Sequence, residues 1–336
     1  MTGGGKSAAC DYDVVIVGAG AIGAALAIEL GRLGYRTALI EARRPTYEAS
    51  DPERVIALSH GSRLHLESLG VWERIAAAGA GMIRHIRVSE AGQDGMSNLE
   101  TDEARAIYPN VEALGYVVQM HHVLQPMHDT LPENVELLAP ASVKKLVNDA
   151  APVTVTLETE TGEQQLTARL LVGADGTDSR IRSLAGIGCC GWDHNRFGLV
   201  ASVTMAHGHH DTAYECFRPT GPLAFLPLAD GRFSIVWSLT PREAADLMRR
   251  SDAEFIAALE SAAGPLARGR LGRVMGLSKR ACYALESRVA KTFVKGRIVL
   301  SGNAAHTLHP VAGQGMNLGL RDVAVLADVL ARARSM

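Results

Sequence analysis

Three glycines with a defined spacing form the first motif of the chain that could bind a ligand. Gly18, Gly20 and Gly23 form G-x-G-x-x-G directly after the β-branched run at 13–17, and an Ala- and Leu-rich stretch follows at 21–33. The first glycine permits a tight turn, the second lets a pyrophosphate approach the backbone, and the third lets the helix pack on the strand. The helix N-terminus then faces the phosphates. This pattern predicts a dinucleotide-binding site.

An acidic residue at a characteristic distance strengthens this prediction. The next apolar run, 36–40, ends at Glu41, which lies 21 residues after Gly20. A carboxylate in this position accepts hydrogen bonds from the ribose hydroxyls of an adenosine. The alternative is a glycine-rich turn with an ordinary surface glutamate, which the order of strand, turn, helix and acid disfavours. The motif alone does not distinguish NAD from FAD.

Two later segments also follow apolar runs, and each of these runs is predicted to form a strand. Asp175 and Gly176 come after residues 166–172, and Gly302 and Asn303 come after residues 297–300. Ligands bind at the carboxyl ends of the strands in α/β sheets, so both segments are expected at the same site. Asp175 would equally cap a short helix over 179–184, and Arg182 would equally satisfy a carbonyl at the end of that helix.

The three segments together resemble the fingerprints of the flavin-dependent aromatic hydroxylases with the para-hydroxybenzoate hydroxylase fold. Asn303 departs from the pattern, because much of the family carries Asp there, although an amide still bonds a ribityl hydroxyl. Segments 54–58, 221–232 and 302–322 are most similar to the ubiquinone-biosynthesis branch, the 2-polyprenyl-6-methoxyphenol hydroxylases. Members usually continue with further helices, so the chain is interpreted as truncated at its C-terminal end.

The resemblance implies a set of FAD contacts. Arg54 would lie near the pyrophosphate and Gln125 near the ribityl chain, although Pro126 stands where relatives often have Arg. Residues 315–317 would lie against the isoalloxazine ring, with Pro310 beside its reactive edge. The complete predicted set is Gly18, Gly20, Gly23, Glu41, Arg54, Gln125, Asp175, Gly176, Asn303, Pro310, Gly313, Gly315, Met316 and Asn317.

The resemblance also implies the reaction. NAD(P)H would reduce FAD, O2 would form a flavin hydroperoxide, and a prenylated phenol would take up the distal oxygen. No carboxylate stands out as an acid or base, and His309 is the candidate for a base that forms the phenolate. Four residues are either apolar substrate walls or plain core: Phe217, Phe225, Leu226 and Trp237. A flavin reductase or dehydrogenase of the same fold, or a non-catalytic flavoprotein component of a quinone-synthesis complex, are the alternatives.

These segments define an expected α/β architecture. A Rossmann-like FAD-binding domain is assembled from 11–80, 110–185 and 282–336, and a mostly antiparallel substrate domain from 81–109 and 186–281, after a flexible leader at 1–10. In the substrate domain, strands are predicted over 82–90, 197–205, 223–228 and 233–239, and helices over 241–249 and 252–262.

Composition excludes several classes of protein. With 34 basic against 36 acidic residues in 336, the chain has no basic field that would attract nucleic acid. Five cysteines without C-x-x-C indicate neither a disulfide framework nor a zinc site, and His306 and His309 lack a third metal ligand. We expect a cytoplasmic protein, with peripheral association at the inner face of the membrane or with a quinone-synthesis complex, because a prenylated substrate dissolves in the membrane.

Overall fold

The structure, a computed structural model, describes residues 10–49, 53–91, 95–148, 152–309 and 313–335. Pro310 and residues 1–9 of the predicted leader lie outside the described residues. The strands are β1 (Tyr12–Val17), β2 (Thr37–Ile40), β3 (Val55–Ser59), β4 (Ala80–Ile83), β5 (His85–Glu90), β6 (Met96–Glu100), β7 (Gly115–Gln119), β8 (Val135–Leu138), β9 (Ala141–Val147), β10 (Val153–Thr159), β11 (Gly162–Gly173), β12 (Cys189–Met205), β13 (Thr212–Phe217), β14 (Leu223–Pro227), β15 (Phe233–Leu239), β16 (Val274–Leu277), β17 (Ala281–Ala290), β18 (Val294–Lys295), β19 (Ile298–Leu300) and β20 (His306–Thr307). The α-helices are α1 (Ala21–Arg32), α2 (His60–Ser68), α3 (Trp72–Gly79), α4 (Thr101–Arg105), α5 (Met120–Asp129), α6 (Arg180–Leu184), α7 (Pro241–Arg249), α8 (Asp252–Ala263) and α9 (Gln314–Ser335).

The first sheet is the predicted dinucleotide-binding layer. Its centre consists of five parallel strands in the order β19-β11-β1-β2-β8. Because these strands are parallel, their carboxyl ends lie at the same edge of the sheet. The central strand β1 is buried on both faces, as its uninterrupted apolar sequence requires. Helix α1 packs on one face, and α9 packs against α1. The predicted Rossmann-like architecture is confirmed.

The second sheet has nine strands and is mostly antiparallel, as predicted; the pairing of β5 with β13 is parallel. Helices α7 and α8 cover one of its faces. Both helices begin at capping boxes, in which Thr240 and Ser251 accept backbone N–H groups and Glu243 and Glu254 return the bond. These local signals explain why both helices were predictable to within one residue.

A small third sheet joins the two layers. Strands β3, β7 and β4 pair antiparallel, and β4 runs directly into β5 of the nine-stranded sheet. The strand predicted over 82–90 does join the nine-stranded sheet, but only from His85 as β5, and its predicted start is wrong. The chain changes sheets at Arg84, whose backbone N–H donates to the carbonyl oxygen of Asp211. The predicted boundary at 282 falls inside β17, which pairs with β12; the division into domains stays a prediction. Within the described residues, no helix is long and apolar enough to cross a membrane.

Candidate functional site

The glycine turn between β1 and α1 is built around close backbone contacts. Gly18 has φ +104°, and a Cβ there would lie 2.4 Å from the carbonyl oxygen of Ala174. A Cβ on Gly23 would lie 1.8 Å from the carbonyl oxygen of Gly18. The side of Gly20 where a Cβ would stand, by contrast, meets no described atom within 4 Å. The turn is therefore closed toward the protein and open at Gly20.

The start of α1 offers backbone N–H groups to an anion. Gly20 is the N-cap, no side chain caps it, and the first turn holds no acidic residue. The first intrahelical bond runs from the Ala24 N–H to Gly20, so the preceding N–H groups of the helix have no partner within it. Open space at an uncapped helix N-terminus suits a phosphate group.

Glu41 lies beside this turn, directly after β2. One carboxylate oxygen accepts a hydrogen bond from the Ala19 N–H at 2.9 Å, and the other accepts from the Arg43 N–H at 3.3 Å. These bonds hold the carboxylate at the same edge of the sheet as the glycine turn. This is the position that a ribose-binding acid requires.

The segment after β11 uses its side chains for its own structure. Asp175 accepts hydrogen bonds from the Ser179 hydroxyl and from the Ile181 N–H, which caps α6. Arg182 donates to the carbonyl oxygens of Ala304, at 2.9 Å, and Thr177, at 2.7 Å. Asp175 therefore helps to cap α6 as the structural alternative predicted, whereas the carbonyls that Arg182 bonds lie outside this helix. Gly176, with φ +83° and no described atom within 4 Å of a Cβ, leaves its backbone open toward a ligand.

The segment after β19 is tied to α9 through one carboxylate. Asp322 accepts from the Gly302 N–H at 2.8 Å and lies 2.7 Å from Nε2 of the buried His306. Asn303 is exposed on the far side of this turn and reaches the Thr177 hydroxyl at 3.5 Å. Because Thr177 directly follows the predicted segment 175–176, the two predicted fingerprint segments at 175–176 and 302–303 lie together in the fold.

The amide of Asn317 is fully used inside the protein. Its Oδ1 accepts from the Ser59 N–H at 2.9 Å and from the Ser62 hydroxyl at 2.6 Å. Its Nδ2 donates to the carbonyl oxygens of Ala57 and Gly313, each at 3.0 Å. The side chain is 1% exposed. Asn317 therefore fastens the start of α9 to β3 and α2. It also lines the cavity described below, and its predicted contact with the flavin stays a prediction.

A cavity of about 560 Å³ lies between this region and the nine-stranded sheet. One wall comes from β3 and the start of α9 and includes Gly313, Gly315 and Met316. The opposite wall is the sheet face that α7 and α8 do not cover. Its side chains are mostly apolar, and they are contributed by Ile86, Val200, Ala213, Glu215, Ala224, Leu226, Val236 and Ser238.

Two titratable side chains in the cavity have shifted pKa values. Burial among apolar residues raises the pKa of Glu215 above its ordinary value. Burial, with a smaller contribution from the neighbouring His194, lowers the pKa of His309. The rings of these two histidines meet edge to face, with their centroids 4.8 Å apart. His309, the predicted base, therefore lines the cavity. Glu215 lines it as well but was not among the predicted site residues.

Of the four residues predicted as substrate walls or plain core, one lines the cavity and two lie in the core. Leu226 lines the cavity, but Phe225 (0% exposed) and Trp237 (4% exposed) point to the other face, where they pack in the core with Phe255. Phe217 is 44% exposed and is not among the described residues that line the cavity. The reason is the alternation of side chains along β14 and β15, since successive residues of a strand face opposite sides of the sheet.

Two predicted FAD contacts are not among the described residues that line this cavity. Gln125 is exposed on α5 and is not among the described residues that line the cavity. Arg54 is exposed at a second cavity of about 350 Å³ that it shares with Glu53 and Tyr283. Glu53 in turn bonds Arg232 at 2.7 Å and Ser202 at 2.6 Å, which ties the segment before β3 to the nine-stranded sheet.

The residues present fit FAD. The open cradle at Gly20, the uncapped start of α1 and the carboxylate of Glu41 match a pyrophosphate and a ribose. The family model described as FAD binding domain matches residues 11–335. The chain belongs to this family. Glu41 and the glycine turn would hold the adenosine half of FAD, and the cavity wall at 313–316 would receive its ring end.

Relatives and solved structures agree with this assignment. The chain is 34% identical to a protein named 3-demethoxyubiquinol 3-hydroxylase from Escherichia coli, over 96% of this chain and 80% of the relative. It is 33% identical to the ubiquinone hydroxylase UbiL of Rhodospirillum rubrum, over 96% and 73% of the two chains. PqsL from Pseudomonas aeruginosa, described as a probable FAD-dependent monooxygenase, has the same fold, with a TM-score of 0.80, 24% identity, and 96% and 87% of the two chains covered. The chain is an FAD-dependent monooxygenase.

Proposed function

We propose that this protein hydroxylates the ring of a prenylated phenol in ubiquinone biosynthesis, using O2 and NAD(P)H. The observation that carries the proposal is the cavity, which meets the FAD-binding segments on one side and an apolar sheet face on the other. An aromatic ring with an apolar tail matches such walls, and the names of the Escherichia coli and Rhodospirillum rubrum relatives point to the same substrate class.

FAD, when bound, takes electrons from the nicotinamide donor and activates O2. The tasks of the protein are then to position the phenol, to exclude water and to stabilise charge. The apolar side chains of β14 and β15 exclude water from the sheet side of the cavity. Backbone N–H groups at the start of α9, which has no acidic residue in its first turn, can stabilise negative charge at the ring end of FAD.

The chemistry of the substrate also bears on where the protein works. A prenylated phenol dissolves in the membrane, so the proposal includes peripheral association with the membrane surface or with a partner that supplies the substrate. Co-sedimentation with liposomes that contain a prenylated phenol, compared with liposomes that lack it, tests this part. Equal amounts of bound protein in both would contradict substrate-dependent association.

The decisive experiment has two stages. The absorption spectrum of the purified protein, with chromatography of the cofactor released on denaturation, should show bound FAD. The protein is then given NADH or NADPH, ¹⁸O2 and a short-chain prenylated phenol. We expect one ¹⁸O atom in the ring of the product. Donor oxidation that yields hydrogen peroxide and no labelled product would refute the hydroxylase and identify a reductase.

A pair of matched variants tests whether the cavity holds the substrate. Ala224 lines the cavity, whereas Ala78 lies on the exposed surface of α3. Ala224→Phe fills part of the cavity, and we expect binding of the phenol to weaken at least tenfold with FAD still bound. Ala78→Phe adds the same side chain without entering the cavity and should leave binding unchanged. Equal binding by both variants would place the substrate elsewhere.

A further inference from the structure

Glu215 is an unusual residue for the strand that carries it. In β13, Tyr214 packs in the core cluster and Cys216 is buried, whereas Ala213 and Glu215 lie on the opposite face of the strand and line the cavity, which Tyr214 also borders. A half-buried strand rarely places a carboxylate on an apolar face, because burying a charge without a partner costs free energy. The position therefore calls for a ligand group that satisfies the carboxylate.

The neighbours of Glu215 across the sheet offer it no charge partner. It pairs with Val88 of β5 on one side and Ala224 of β14 on the other, and the same row continues through Val236 and Val200. Of the described residues that line the cavity, Glu215 is the only carboxylate, and none is a lysine or arginine. The wall around Glu215 is thus an apolar surface with a single strong hydrogen-bond acceptor.

The titratable groups that face Glu215 lie on three elements. Glu90, on the same face of β5 two residues beyond Val88, is exposed to solvent. Tyr283 of β17 and His309 line other parts of the cavity. Tyr214 and Arg218 belong to the opposite face, where Arg218 stacks over Trp237. Burial alone accounts for the raised pKa of the Glu215 carboxyl.

We propose that the Glu215 carboxylate accepts a hydrogen bond from the aromatic hydroxyl of the substrate, and so orients the ring in the cavity and selects phenols over their ethers. This inference rests on the proposed function, because it takes a phenol as the substrate. The bond orients the ring about a fixed point on β13 while the apolar walls hold the rest of the molecule. It also increases electron density on the phenolic oxygen, which favours attack by the ring on an electrophilic oxygen.

The selectivity has a physical basis: a buried acceptor left without a partner costs more free energy than a formed hydrogen bond contributes. A site built to bond a hydroxyl rejects an analogue that cannot donate, because the buried acceptor is then left without a partner. A methyl ether of the same phenol keeps the ring and the tail but has no proton to donate. Discrimination between the phenol and its methyl ether therefore isolates the contribution of the acceptor.

The experiment measures binding rather than turnover. A short-chain prenylated phenol and its methyl ether are titrated into the FAD-loaded protein, and binding is followed by calorimetry and by changes in the flavin absorption spectrum. We expect the wild type to prefer the phenol by about 10- to 100-fold, as a hydrogen bond to a charged acceptor provides. In Glu215→Leu the preference should fall to about twofold or less, with binding of the ether retained.

Two further measurements separate this role from a structural one. The preference of the wild type should decrease as the pH is lowered, since a protonated carboxyl is a weaker acceptor, whereas Glu215→Gln should show a flat profile. Glu90→Gln changes the exposed carboxylate on the neighbouring strand and should behave as the wild type. FAD content and circular dichroism show whether each variant is folded.

The outcomes distinguish the inference from the proposed function. An unchanged phenol preference in folded Glu215→Leu, or loss of the preference in Ser238→Ala instead, would overturn the role of Glu215 and leave the substrate class intact. If the FAD-loaded wild type binds neither the phenol nor the ether, the substrate class itself is wrong.

Discussion

The clamp made by Asn317 predicts a large and specific loss of stability. Its amide makes four hydrogen bonds, which join the start of α9 to β3 and α2. A buried hydrogen bond contributes about 0.5 to 1.5 kcal/mol, so four of them set a range of about 2 to 6 kcal/mol for Asn317→Ala. We expect the lower part of this range, about 2 to 4 kcal/mol, because Ser59 and Gly313 line the cavity, where water can replace part of the lost amide.

Urea denaturation of the FAD-free protein measures this loss directly. Asn303→Ala is the matched control, because the same residue type there is exposed and makes a single long bond to Thr177; we expect a change of at most about 0.5 kcal/mol. Release of the Gly313 carbonyl should also loosen the cavity wall, so FAD dissociates faster from Asn317→Ala. A loss of less than about 1 kcal/mol, with unchanged FAD dissociation, would refute the clamp.

The remaining predictions concern the glycine turn and two carboxylates. Gly23→Ala places a methyl group 1.8 Å from a backbone carbonyl oxygen and should lower the free energy of unfolding by at least about 2 kcal/mol. Gly20→Ala, whose methyl group meets no described atom within 4 Å, should lower it by at most about 1 kcal/mol and mainly weaken FAD binding; equal losses on urea denaturation would contradict this. Glu41→Ala should weaken FAD binding about 10- to 100-fold, measured by fluorescence titration, and the exposed Glu48→Ala should leave it unchanged. Because burial raises the pKa of Glu215 in the folded protein, the folded state binds this proton more tightly than the unfolded state, and stability falls as the pH rises through that pKa. Glu215→Gln should therefore raise the melting temperature at neutral pH but not at pH values below the ordinary glutamate pKa, and an increase of equal size at both would contradict the charge penalty.

Local sequence signals were sufficient wherever the determinants lie within a few residues of each other. The glycine turn follows from three positions within one strand–helix junction. The cap at Asp175 was foreseen as a structural alternative, because capping involves neighbours along the chain. The bond from Arg182 to the Thr177 carbonyl is equally local, whereas its bond to the Ala304 carbonyl joins residues far apart in the chain. The starts of α7 and α8, which were also predicted, coincide with capping boxes made by residues three positions apart.

The face that a strand turns toward the cavity could not be read from the sequence. Phe225 and Leu226 are adjacent in β14 and therefore point to opposite faces, yet both are large apolar residues. In an antiparallel sheet with one solvent-exposed face, polar residues mark the strand positions that point to solvent. Here α7 and α8 pack on one face and an apolar cavity lies against the other, so neither face is marked by polar residues. The alternation was visible, while the identity of each face depended on which elements pack against it.

Glu215 is a cavity residue whose unusual position is already visible in the sequence. A single carboxylate within the strand TAYECF breaks the pattern of a buried segment, and such a break is a signal of function rather than of folding. Its significance depended on knowing that the strand faces the cavity, which the pairing of β13 with β5 and β14 provides. The charge of Glu215 is apparent from the sequence. Its need for a hydrogen-bond partner becomes apparent only from the fold.

The two walls of the cavity come from segments far apart in the chain, and this has a consequence for binding. We expect the ring end of FAD at the wall of residues 55–59 and 313–317, which Asn317 holds together. We expect the substrate at the opposite wall, which β5 and the strands between 198 and 238 form. The bonds from Glu53 to Arg232 and Ser202 fasten the first wall to the second. A ligand that fills the cavity contacts both walls. We therefore expect FAD bound at the first wall to favour binding of the phenol, and the phenol to favour retention of FAD by the same factor.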